Sequence, residues 1–99
     1  MITERLTIHV APGRENDFEG ALSEAGQVVF MAAGFRRFQV DRGIDKTSTY
    51  LVQIQWETAE EQSRFSQSEL FTQWATLIDP FVVGTPVVER FELCPALSL

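Results

Sequence analysis

The hydrophobic period of this chain changes along its length, and the order of the changes leaves few folds open. Over residues 2–10 side chains alternate: Ile2, Leu6, Ile8 and Val10 share a face with Glu4, while Thr3, Arg5, Thr7 and His9 share the other. A period of two is that of a half-buried strand, and Pro12-Gly13 ends it. Over residues 14–33 the period lengthens, and Phe18, Ala21, Leu22, Ala25, Val29 and Ala32 fall on one stripe of a helix. Glu15 and Asp17 suit its positive first turn, and Gly34 suits a left-handed stop. Residues 35–42 read as a second strand, with Phe38 and Val40 opposite Arg37 and Gln39. A turn at Gly43-Ile44-Asp45 leads to a third strand over residues 47–57, so these two form a hairpin. Tyr50, Val52, Ile54 and Trp56 occupy one face of the third strand. That face should meet the helices, because burying the Gln53 and Gln55 face would strand amides away from water.

Thr58-Ala59-Glu60-Glu61 is a capping box that opens a second helical region running toward Phe65. Ser66-Gln67-Ser68 interrupts it, Leu70, Phe71, Trp74, Leu77 and Ile78 form a further stripe, and Asp79-Pro80 breaks it. Residues 87–93 read as a fourth strand, with Val87, Phe91 and Leu93 on the face of Glu89. The order strand, helix, strand, strand, helix, strand predicts one α+β domain over residues 1–99. It is ferredoxin-like βαββαβ, a four-stranded antiparallel sheet with helices on one face.

Charge narrows the partners. Lys and Arg number 8 against 14 Asp and Glu, giving a net charge of −6 and a pI near 4.6. Nucleic-acid binders carry the opposite sign or a basic stripe; the one adjacent basic pair, Arg36-Arg37, alternates faces on a strand. Neither nucleic acid nor an anionic membrane is expected as a partner. One cysteine, Cys94, allows no internal disulfide. The first residues lack the basic-then-apolar pattern of a signal peptide, and no apolar run nears the roughly 18–20 residues of a membrane span. The expected location is the cytoplasm.

The chemical inventory excludes more than it offers. His9 is the single histidine, so one chain cannot build a two-histidine metal site. Cys94 has no cation beside it in sequence to activate a thiolate. GxGxxG and P-loop motifs are absent, so a conventional flavin or nicotinamide domain is not expected, and no cofactor is assigned. Two features remain. The first is aromatic density, with Phe38, Tyr50, Phe65, Phe71 and Trp74 among the rings that either pack a core or line an apolar cleft for a flat ligand. Phe65 and Trp74, on the second helical region, lead this set. The second is a pair of carboxylates, Glu4 and Glu89, each interrupting an apolar strand face. On neighbouring first and fourth strands the two would lie close, and a carboxyl in an apolar cleft titrates nearer neutrality, as a general acid or base requires. The alternative is that each sits near a sheet end and reaches water.

The chain resembles the antibiotic biosynthesis monooxygenase (ABM) domain of the dimeric α+β barrel superfamily. The matching stretches are Ala11-Pro12-Gly13-Arg14-Glu15 leading to Phe18, Gly34-Phe35, Tyr50 through Trp56-Glu57-Thr58, residues 68–74, and Pro86-Val87-Val88-Glu89-Arg90-Phe91. The resemblance implies two ferredoxin-like subunits paired sheet against sheet, each keeping a cavity between sheet and helices. Some members oxidise phenolic polyketides or quinols with O2 and neither metal nor flavin. Others degrade haem, using an Asn on the first strand and a Trp and a His on the second helical region. Aligned through Trp56 and residues 68–71, those positions here are Glu4, Phe65 and Ala75, so haem degradation is not expected. The expectation is a cofactor-independent monooxygenase acting on a small aromatic, phenol or quinol held against Phe65 and Trp74. Glu4, with Glu89, would take the phenolic proton. The alternative is a non-catalytic ligand-binding or stress-related dimer using the same cleft. Leu93, Leu97 and Leu99 are too apolar for a free tail and would pack on a second copy.

Overall fold

Alternation makes strands, and the faces it defines decide where the helices lie. The structure, a computed structural model, describes residues 1–98, so Leu99 lies outside the described residues. Strand β1 (Ile2–His9) is followed by helix α1 (Glu15–Phe30), the hairpin β2 (Phe35–Arg42) and β3 (Thr49–Trp56), helices α2 (Ala59–Ser66) and α3 (Glu69–Ile78), and strand β4 (Val87–Glu92). Short 3-10 turns span Asp79–Phe81 and Pro95–Leu97. The strands form one sheet in the order β2-β3-β1-β4, with every neighbouring pair antiparallel. This is the expected ferredoxin-like fold.

The helix-facing side of the sheet carries Leu6 and Ile8 of β1 with Tyr50, Val52, Ile54 and Trp56 of β3, all buried. Phe18, Leu22, Ala25 and Val29 of α1 close over them, with Phe65, Trp74 and Ile78 from α2 and α3. The Gln53 face points away from the helices, as polar satisfaction requires.

Local chemistry sets the element ends. Thr58 Oγ1 accepts from the Glu61 amide at 3.2 Å, the first half of the expected capping box, and its hydroxyl donates to the Glu61 carboxylate at 3.2 Å in a side-chain pairing. Ser68 caps α3 by accepting from the Phe71 amide, so the serine-rich interruption separates two helices. Helix α1 stops at Phe30, short of Ala33; the chain then turns through Gly34, whose φ of +84° favours glycine. Strand β2 carries a β-bulge. Phe35 pairs with Trp56 and Arg37 with Gln55, leaving Arg36 as the extra residue, paired by charge with Glu57.

The facing expected for β4 is reversed. Its register places Arg90 opposite Glu4 and Glu89 opposite Arg5. Directly opposed residues share a face, so Glu89 points away from the helices along with Val87 and Phe91. The pairing of β1 with β4 holds, but a one-residue change of register exchanges every side chain between faces. Glu4 and Glu89 are therefore not neighbours in one cavity.

Candidate functional site

Helix α1 crosses the β2–β3 end of the sheet, and the space between them opens as a cleft of about 420 Å³. Leu22 from α1 and Phe38 and Val40 from β2 form its apolar walls. Glu19 and Ser23 of α1, Arg42 of β2 and Tyr50 of β3 form its polar end. The residues converge for simple reasons. Phe38, Val40 and Arg42 alternate onto the helix side of β2, and Arg42 pairs in register with Tyr50. On α1, Glu19 lies three residues before Leu22 and flanks the apolar stripe.

These polar groups hold one another. Tyr50 Oη donates to Glu19 Oε2 at 2.5 Å, and Arg42 Nη1 donates to the same oxygen at 3.3 Å. Arg42 is anchored through Nε to the Thr47 carbonyl at 2.6 Å. The Arg42–Glu19 pair is about half exposed, so it adds no more than about 1 kcal/mol of stability; its effect is to fix geometry. Burial pushes the Tyr50 hydroxyl up to about 12, and the Glu19 carboxylate that accepts its proton adds to the shift. Tyr50 is thus a hydrogen-bond donor at every ordinary pH. Its ring packs on Phe18, with centroids 4.9 Å apart. A cleft of this size, apolar on the walls and polar at one end, suits a small flat ligand bearing a polar substituent.

The other expected site residues are distributed more widely. Glu4 is buried, at 6% exposure, and its Oε1 accepts from Trp56 Nε1 at 3.0 Å. Burial holds its carboxyl above the ordinary glutamate value, opposed by the Trp56 N–H, Gln62 and Arg90. Arg90 in turn donates to Gln62 Oε1 at 3.3 Å. Glu4 lines neither the α1–β2–β3 cleft nor two further cavities. Of the five rings, Phe38 and Tyr50 line the main cleft. Trp74 packs edge-on behind Phe38 at 6.0 Å and is buried in the core. Phe65 packs against Trp56 with the rings tilted and centroids 5.1 Å apart, and it lines a smaller cavity of about 120 Å³ with Ala32, Ala33 and Leu70. Phe71 packs edge-on against Phe65 and stays partly exposed. No described cavity is lined by both Phe65 and Trp74, so the single cleft expected against that pair does not form; Trp74 lies in the core instead. Ala75 is half-buried on α3. His9 lies on the outer sheet face, 3.1 Å from Thr49 Oγ1. Glu19, Ser23 and Arg42 were not singled out from sequence; the available signal was the shared alternation of Arg42 with Phe38 and Val40.

Comparison with known proteins agrees with this architecture. A Bacillus subtilis protein without a characterised role, YczJ, is 28% identical over 93 residues, covering 93% of this chain and 98% of its own. A solved structure from Bordetella bronchiseptica, described as a candidate antibiotic biosynthesis monooxygenase, is 30% identical. It superposes with a TM-score of 0.88, covering 94% of this chain and 96% of the other. SnoaB of Streptomyces nogalater, a cofactor-independent oxygenase solved as a point mutant, shares the fold. Its TM-score is 0.81 at 21% identity, covering 93% of this chain and 91% of its own. The family model for antibiotic biosynthesis monooxygenase matches residues 1–77, and this chain belongs to that family.

Proposed function

We propose that this protein is a cofactor-independent monooxygenase that oxidises a small phenolic or quinol-type aromatic with O2 in the α1–β2–β3 cleft. The observation that carries the reading is the cleft itself, with apolar walls at Leu22, Phe38 and Val40 and a hydrogen-bonded polar cluster at one end. Family membership supports the reaction class. A phenol that has lost its proton is electron-rich enough to reduce O2 directly. For a phenol-activated CH2 group, one oxygen atom becomes the new carbonyl; the other leaves as water with the two hydrogens of that carbon. No outside reductant is needed.

Oxygen uptake with a panel of hydroquinones and anthrone-like phenols tests the proposal. Ser23 is exposed on the cleft rim, so Ser23→Trp should block the cleft and lower kcat/KM at least about tenfold without unfolding the protein. Saturable binding of the panel with no oxygen uptake would instead establish the ligand-binding reading.

Two copies acting as a homodimer complete the proposal, paired through the sheet face opposite the helices. That face carries Val87 and Phe91, which stay 55% and 43% exposed in the single chain. Arg5 lies there too; its guanidinium sits over the Phe91 ring at 5.4 Å, and its buried Nε finds no acceptor among the described residues.

A further inference from the structure

The proposed reaction needs an acceptor for the phenolic proton, and Glu19 is better placed for it than Glu4. The Glu4 carboxyl is committed to Trp56 and lines none of the described cavities. Glu15 has both oxygens occupied, one by the Gly13 amide at 2.9 Å and the other by the Ser48 hydroxyl at 2.5 Å. Glu19 differs from both. It lines the main cleft, and Tyr50 and Arg42 bond the same oxygen, Oε2. Its Oε1 makes no hydrogen bond to any described residue. An ionised carboxylate offers about four lone-pair sites on two oxygens, so acceptor capacity remains at the polar end of an apolar cleft.

We propose that Glu19 Oε1 selects aromatic ligands that carry a hydroxyl group and takes that hydroxyl's proton, while Tyr50 and Arg42 hold the carboxylate in place. This rests on the reading that the cleft is where the aromatic ligand binds. In the step, the ligand O–H bond breaks, the proton goes to Glu19 Oε1, and the electron pair stays on the phenolate oxygen. The nearby Arg42 guanidinium offsets the new charge. Nothing is oxidised until O2 arrives. Glu19 is then a catalytic residue; Tyr50 and Arg42 are positioning residues that act through it.

The test compares binding of 2-naphthol with that of its methyl ether, 2-methoxynaphthalene, to the full chain by fluorescence titration. Wild type should prefer the naphthol by roughly 10- to 100-fold, the range expected for a hydrogen bond to a charged acceptor. Glu19→Ala should abolish that preference, read as the ratio of the two affinities within each protein. Glu19→Gln keeps a neutral acceptor but cannot take the proton, so with an oxidisable phenol it should lower kcat by roughly 10²–10⁴. Equal discrimination by wild type and Glu19→Ala, with both binding the ether, would overturn the Glu19 assignment and leave the cleft reading intact. Failure of folded wild type to bind either compound would overturn the cleft reading and this inference with it. Circular dichroism checks folding of both variants, whose substitution lies on a half-exposed helix position.

Discussion

A carboxyl placed under the helices is costly to ionise, and Glu4 is such a group. The Trp56 N–H gives it one charge-stabilising bond, yet burial still outweighs its partners. Because its folded value lies above the ordinary 4.5, the folded state favours the protonated form. The stability this contributes is fully present below 4.5 and is lost as pH rises through the raised folded value. Glu4→Gln keeps an acceptor for Trp56 and removes the loss. Urea melts of both proteins from pH 4 to pH 8 should therefore show the variant gaining on wild type as pH rises, then a plateau. A difference that stays flat with pH would show that Glu4 ionises as freely as in the unfolded chain. Glu4 was legible in the sequence because it broke an otherwise apolar face between Ile2 and Leu6. Glu19 was not, because a polar residue flanking a helical stripe reads the same whether it covers a cleft or faces open water. Glu89 misled because the facing of β4 depends on the register its partner strand imposes, and all six of its residues are exposed in the single chain.

At the scale of elements, period and punctuation carried the prediction. The alternation of β3 fixed its buried face, since exchanging it would have put Gln53 and Gln55 beneath a helix. The serine-rich break between α2 and α3 was visible because Ser68 competes for the backbone and recaps it. Helix α1 was drawn three residues too long because Ala32 and Ala33 continue the apolar pattern through a turn, and periodicity does not register the loss of helical hydrogen bonds. The caps are individually testable. Thr58→Ala removes the oxygen that accepts from Glu61 and should cost about 1 kcal/mol, a fall of roughly 4–8 °C in Tm for a domain of this size. Gly34→Ala should cost more than 1 kcal/mol, because it combines a positive φ with a Cβ directed into the Glu61 side chain. Thermal melts showing either variant within error of wild type would contradict these assignments.

For the whole molecule, the outer sheet face is the large surface that the helices leave uncovered. The proposed pairing predicts that Phe91→Arg, which places a charge at its apolar patch, weakens association at least about tenfold while the monomer stays folded. Light scattering at micromolar concentration should read a dimer for wild type and a monomer for the variant. A wild-type monomer under those conditions would remove the pairing from the proposal. Assembly through a face rather than an edge also has a geometric limit. The extra residue at Arg36 twists β2 out of line, and Arg36, Arg37, Asp41 and Arg42 line that strand with charge. A bulged, charged border is a poor template for an incoming strand from another molecule. Growth along the hydrogen-bonding direction is thereby discouraged at that side, and a self-complementary face is used up once two copies meet. On the proposed pairing, the bulge thus works against open-ended growth from the β2 edge.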